Sequence, residues 1–166
     1  MIPRVLSGWL LGLLLMGGTG FAQDEVAYPP VDGELAACLQ EAKLVWEPDA
    51  DGDCRLLLEY ESGRSQQVFV NSRTEELDGW RLREIWSVAG MGAALQEPVT
   101  MELLLRTNPD QLLGAWGFRQ IGEQTAAVFV LNAPATCDPQ QLRRLIGLVG
   151  RGADEMEQSL GEGDQF

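Results

Sequence analysis

The sequence predicts an α+β domain: a five-stranded antiparallel sheet with helices, in the order α-β-β-β-α-β-β-α. Three observations lead there. Short runs of alternating apolar and polar residues recur between turn residues. Three other stretches carry apolar residues at three- and four-residue spacing. The two patterns interleave along the chain, as they do when helices cover one face of an antiparallel sheet.

Each element has its own warrant. From Gly33 to Lys43, Leu35, Cys38, Leu39 and Ala42 make a helical stripe, with Asp32 as the N-cap. The turn EPDADGD (47–53) follows, and Cys54–Tyr60 then places Leu56, Leu58 and Tyr60 on one face of a strand. Glu61-Ser62-Gly63-Arg64 reads as a hairpin connection, and Gln66–Asn71 returns with Val68 and Val70 opposite Phe69. SRTEELDG (72–79) reads as a polar loop before the strand Trp80–Val88, and Gly90 to Gly92 ends that pattern. Pro98 opens a short helix whose expected buried stripe is Met101, Leu104 and Leu105. Asn108-Pro109-Asp110-Gln111 then reads as an N-cap followed by proline at the first helical position. Strands Ala115–Ile121 and Ala126–Leu131 follow across a short turn.

The last helix is the clearest. Asp138 caps it, Pro139 starts it, and Leu142, Leu145, Ile146, Val149, Ala153, Met156 and Leu160 trace one face. Gly147, Gly150 and Gly152 interrupt that helix at about 1 kcal/mol each relative to alanine. Small residues at this cost point to close approach by another element, either the sheet or a second copy of the chain. Gly147 and Gly150 are therefore candidate partner-surface residues, together with Trp80, which follows the polar loop.

Residues 1–22 stand apart. Arg4 is their only charge, Val5 to Gly18 is an apolar run, and Gly20-Phe21-Ala22 makes a small-residue cleavage site. That is the pattern of a secretory signal peptide, followed by an acidic, Pro29-Pro30-bearing linker over 23–32 and a single domain over 33–166. The expected location is periplasmic or secreted after cleavage near Ala22, with membrane contact only through the signal segment. The full chain has a formal charge of −13 and no histidine. Loss of residues 1–22 leaves 11 basic against 25 acidic side chains, a charge of −14.

Such a surface excludes nucleic acid as a partner, because phosphate needs a cationic face. The missing histidine excludes Ser-His-Asp, Cys-His and His-zinc chemistry. Cysteines at 38, 54 and 137 allow three single bridges in an oxidising compartment, each leaving one cysteine over. Cys38–Cys54 closes a short loop and is the expected disulfide. A catalytic thiol would need a cationic neighbour, whereas acidic residues crowd Cys54 and Cys137.

Asp49, Asp51 and Asp53 form a metal-like D-A-D-G-D cluster, but the calcium-loop positions that need Gly and Glu hold Cys54 and Tyr60. The carboxylate pairs Glu59/Glu61, Glu75/Glu76 and Asp154/Glu157 read as solvated faces. Of the tryptophans, Trp86 and Trp116 read as packed in strands. No glycine spacing matches a nucleotide loop. No cofactor, metal site or catalytic residue is expected.

Two stretches, ELLLRTNPDQLLGAWGF (102–118) and LIGLVGRGADEMEQSLGEGDQF (145–166), resemble the YbjN-like proteins, a group sharing the fold of type III secretion chaperones. The corresponding residues are Asn108, Gly114-Ala115, Ala153-Asp154, Glu157 and Gly163-Asp164. The resemblance covers 100–166 most fully, extends over 54–90 and is absent from 1–32. It implies a domain without a catalytic centre, with a protein-binding habit and dimeric relatives that hold extended polypeptides. The signal peptide departs from secretion chaperones, which work in the cytoplasm. The expected function is thus an exported, non-enzymatic protein-binding or regulatory domain, as a homodimer or with another protein. The alternatives are a small carboxylate- or metal-dependent hydrolase and a small-ligand module with an aromatic pocket.

Overall fold

The computed structural model describes residues 30–166 except 137 and 162. The expected signal peptide, most of the linker and Cys137 lie outside the described residues. Three helices and six strands follow in order: α1 (Gly33–Glu41), β1 (Glu47–Pro48), β2 (Cys54–Glu59), β3 (Ser65–Leu77), β4 (Trp80–Met91), α2 (Pro98–Thr107), β5 (Ala115–Ile121), β6 (Gln124–Pro134) and α3 (Pro139–Leu160). The strands form one antiparallel sheet in the order β1-β2-β3-β4-β6-β5.

The class is the expected α+β, but the sheet has six strands and the element order gains one. The extra strand is β1, where Glu47 and Pro48 pair with Arg55 and Cys54. Its cause lies in the aspartates of the intervening turn. Asp49 Oδ1 accepts from the amides of Asp51 and Asp53, both at 2.9 Å, and so folds the chain back.

The expected polar loop at 72–79 is also a correction, because β3 and β4 run on as a long hairpin. Asp78 and Gly79, at φ of 49° and 82°, supply the paired positive φ values that a two-residue type I′ turn needs. The charged residues beside them are the solvated sides of the ribbon. Asn108 is not an N-cap: the expected restart is a single 3-10 turn over Asn108–Asp110, capped by Thr107. Asn108 ends α2, and its side chain pins β5, with Oδ1 accepting from the Trp116 amide at 2.6 Å and Nδ2 donating to the Trp116 carbonyl at 3.3 Å.

The core lies between one sheet face and the helices. Cys54, Leu56, Val68, Val70, Ile85, Phe129 and Leu131 from the strands meet Leu35 and Leu39 of α1, Leu104 of α2, and Leu142, Ile146, Val149 and Ala153 of α3. Of the stripe expected on α2, only Leu104 is buried. Met101 and Leu105 are exposed, because α2 sits at the β5 end of the sheet and is covered on one side only. Gly150 answers the question raised by the glycines. A Cβ there would lie 2.5 Å from Leu58 Cδ1, 2.9 Å from Tyr60 Oη and 3.1 Å from Val68 Cγ2, so the element that approaches is the sheet. Among the described residues, no helix is long and apolar enough to cross a membrane.

Candidate functional site

Strand alternation sends every second side chain to the sheet face away from the helices. That face carries Leu57, Phe69, Trp86, Val128 and Val130 of β2, β3, β4 and β6, with Phe69, Trp86 and Val130 directly opposite one another and Leu57 opposite Gln67. None of the buried residues of the three helices belongs to the small apolar cluster there. Val88, Ala126 and Val128 form its centre, with Trp86, Val130 and Phe166 packed against them. Phe69 stacks on Trp86 at 4.3 Å between centroids, and the Arg119 guanidinium lies 4.5 Å over the Trp86 ring. Glu84 accepts from Arg119 at 2.7 Å, while Trp86 Nε1 donates to Asn71 Oδ1 at 3.0 Å. Leu57 is 56% exposed. The result is a firm, mixed apolar and charged surface that no helix covers, the kind of patch that marks an interaction site.

Trp80 lies off this patch, at the tip of the β3–β4 hairpin. It pairs with Leu77 across the turn, and the two are 66% and 63% exposed. Gly147 lies on α3 beside Arg151, whereas Gly150 is buried against the sheet and offers no outer surface. Cys54 is buried in β2 as a free thiol, pushed up to about 12 by burial, which keeps it protonated and unreactive. Cys38 is half-buried on α1, its thiol also raised, first by burial and then by Glu41 and Asp138. Trp116 packs against Phe129 in the core, and its Nε1 has no hydrogen-bond partner. Trp46 lines a cleft of about 340 Å³ with Val45, Glu47, Arg55, Leu57 and Gln67, so that cleft contains a single aromatic ring.

One carboxylate pair needs correction. Asp154 and Glu157 do not form a solvated face. Arg64 donates from Nε to Asp154 Oδ1 at 2.5 Å and from Nη2 to Glu157 Oε2 at 2.6 Å. Glu157 is fully buried. It also accepts from the Gln165 amide at 2.8 Å, and Asp164 accepts from the Ser65 amide at 3.0 Å. The oxygens of Asp154, Glu157 and Asp164 lie within 4.8 Å of one another, the spacing of a metal site. The Arg64 guanidinium stands among them, pairing closely with Asp154 and Glu157 and lying 4.0 Å from Asp164. This cluster ties the end of α3 and the C-terminal residues to the β2–β3 turn. Its acidic members are those quoted from the YbjN-like ending, and its partner, some 90 residues earlier, has no local signal in the sequence.

A second paired cation, this one buried, was equally hidden. Arg83, 3% exposed, donates to the Asn71 and Ser72 carbonyls at 2.6 and 2.7 Å where β3 loses register, and to Asp32 at 3.0 Å. Asp53 accepts from the Ser72 amide at 2.7 Å. The aspartates at 49 and 53 thus hold a turn and a strand irregularity. Glu59, Glu61, Glu75 and Glu76 are exposed.

Comparison with protein-family models and with curated proteins finds no match. Among solved structures the chain is similar to YbjN from E. coli, a proposed transcription regulator, over 76% of this chain and 88% of that one. The identity is 9% and the TM-score 0.49. The fold resembles that of YbjN. The likeness is one of chain path and says nothing of chemistry.

Proposed function

We propose that this chain is an exported, non-enzymatic domain that binds another protein, or a second copy of itself, through the sheet face opposite its helices. The part of that face beyond the Phe166-packed cluster carries the reading: half-exposed Leu57 and the Phe69–Trp86 stack lie where no helix of the domain reaches. Supporting it, the most enzyme-like carboxylates, Asp154 and Glu157, are committed to Arg64.

A photo-crosslinking residue placed at Leu57 or at Phe69, with Glu61 as a control, tests the reading in cells that make the full chain. The expected result is a product at both sheet positions, either a dimer of the chain or a reproducible partner, and none at Glu61. Absence of product at Leu57 and Phe69 overturns the binding reading. Fractionation with N-terminal mass analysis checks export: a chain beginning at Gln23 outside the cytoplasm is expected, and an intact Met1 form in the cytoplasm refutes it.

A further inference from the structure

We infer that the groove between the free edge of β2 and α3 binds an extended, acidic segment of a partner polypeptide. This chain has a formal charge of −13, yet its cations are not evenly matched with acids. Among the described residues, seven arginines sit in ion pairs, whereas Lys43, Arg143, Arg144 and Arg151 do not. Three of those four line one groove of about 700 Å³, whose apolar lining includes Leu44, Leu57, Leu58 and Ile146. Glu59 is the single carboxylate among its lining residues. Arg143 is braced by donating to the Ala42 carbonyl at 2.9 Å, and Gly147 leaves room beneath the Arg151 guanidinium.

Two further features belong to the same groove. Tyr60 lines it, and the Tyr60 hydroxyl is buried with no hydrogen-bond partner. Burial, reinforced by the nearby carboxylate of Asp154, pushes that hydroxyl up to about 12 and so keeps it a donor. The second is backbone. β1 covers β2 only at Arg55 and Cys54, so residues 56–59 face the groove side with no strand beside them. An open strand edge pairs readily with another extended chain, and its backbone groups have no other partner strand. Guanidiniums at the rim, an apolar floor and a free edge together fit an extended peptide in which carboxylates alternate with apolar residues. A lone small anion would leave the floor and the edge unused. The groove meets the open sheet face at Leu57 and Glu59 and does not include Phe69 or Trp86, so failure of peptide binding here leaves the sheet-face reading standing, and the reverse holds too.

The probe is a fluorescent peptide of about eight residues, a usual strand length, alternating Glu with Val, measured by anisotropy against the full purified chain. A matching peptide with Lys for Glu is the control. The Glu peptide is expected to bind and the Lys peptide not, with affinity falling as salt rises. R144E/R151E should weaken the Glu peptide by about tenfold or more, since charge-assisted contacts are reversed. R144Q/R151Q, which keeps both helix formers, should weaken it less; it serves as the test if the double reversal does not fold. Equal binding of both peptides, no binding, or binding indifferent to these substitutions overturns the proposal. Displacement of the peptide by millimolar inorganic phosphate also overturns it, in favour of a small-anion site.

Discussion

Gly150→Ala and Gly147→Ala make the same chemical change in the same helix, and they should move stability in opposite directions. Each replacement restores helix propensity worth about 1 kcal/mol. At Gly147 the new methyl meets only Arg151 Nη1, at 3.3 Å, the far end of a flexible side chain that can swing aside. Most of the gain should survive, so G147A is expected to stabilise the domain by about 0.5–1 kcal/mol. At Gly150 the methyl meets three atoms at once: Leu58 Cδ1 at 2.5 Å, Tyr60 Oη at 2.9 Å and Val68 Cγ2 at 3.1 Å. Leu58 is half-buried and can rotate, but Val68 is fully buried and the Tyr60 ring is rigid. Overpacking of this kind costs about 1–3 kcal/mol, which outweighs the propensity gain and leaves G150A about 1 kcal/mol less stable than the parent. Urea unfolding followed by tryptophan fluorescence, with the slopes compared to confirm a shared unfolded reference, measures both. Equal stabilisation by the two substitutions would refute the close packing of α3 on β2 and β3.

Three other outcomes follow from the buried polar contacts. Arg64→Met strands Glu157 and Asp154 without their cation and should cost about 3 kcal/mol at neutral pH. Burial already holds the Glu157 carboxyl above its usual range, so the folded chain binds that proton more tightly than the unfolded one. The R64M deficit should therefore shrink as pH falls into the carboxylate range, and a deficit that grows on acidification, measured by urea unfolding at several pH values, refutes the assignment. Asn108→Ala removes both bonds to Trp116, and hydrogen exchange should show β5 opening first, with a loss of about 1–2 kcal/mol. The buried Cys54 thiol should resist alkylation at pH 8 in the folded chain and react once urea unfolds it, as peptide mass mapping would reveal. The same map, run without reductant, would expose any Cys38–Cys54 bridge.

Local rules account for what the sequence made legible. The Asp32 and Asp138 side chains cap their helices as expected, and of the α3 stripe Leu142, Ile146, Val149, Ala153 and Met156 are buried, with Leu145 and Leu160 half-buried. These features depend on spacing within a few residues, and so does the face that Leu56, Val68 and Val70 share. The misreadings arose where two opposed readings share one composition. SRTEELDG is polar enough for a loop, but its Asp-Gly pair turns a ribbon whose charges point outward. Asp154 and Glu157 have the residue types of a solvated face, and only a distant arginine makes their burial tolerable.

By itself, the sequence determined the α+β class, most of the strands, the capped last helix, and the exclusion of histidine chemistry. Each of these follows from periodicity or from an absent residue type, which no fold can alter. Tertiary structure alone decided the rest: that Gly150 faces Leu58, that half-buried Arg64 pairs with buried Glu157, that Arg83 is buried, that no helix covers one sheet face, and that three arginines on α3 converge on an open strand edge. All of these are contacts between residues far apart in the chain, and long-range contacts carry no local signature because side-chain chemistry becomes specific only when folding chooses its neighbours.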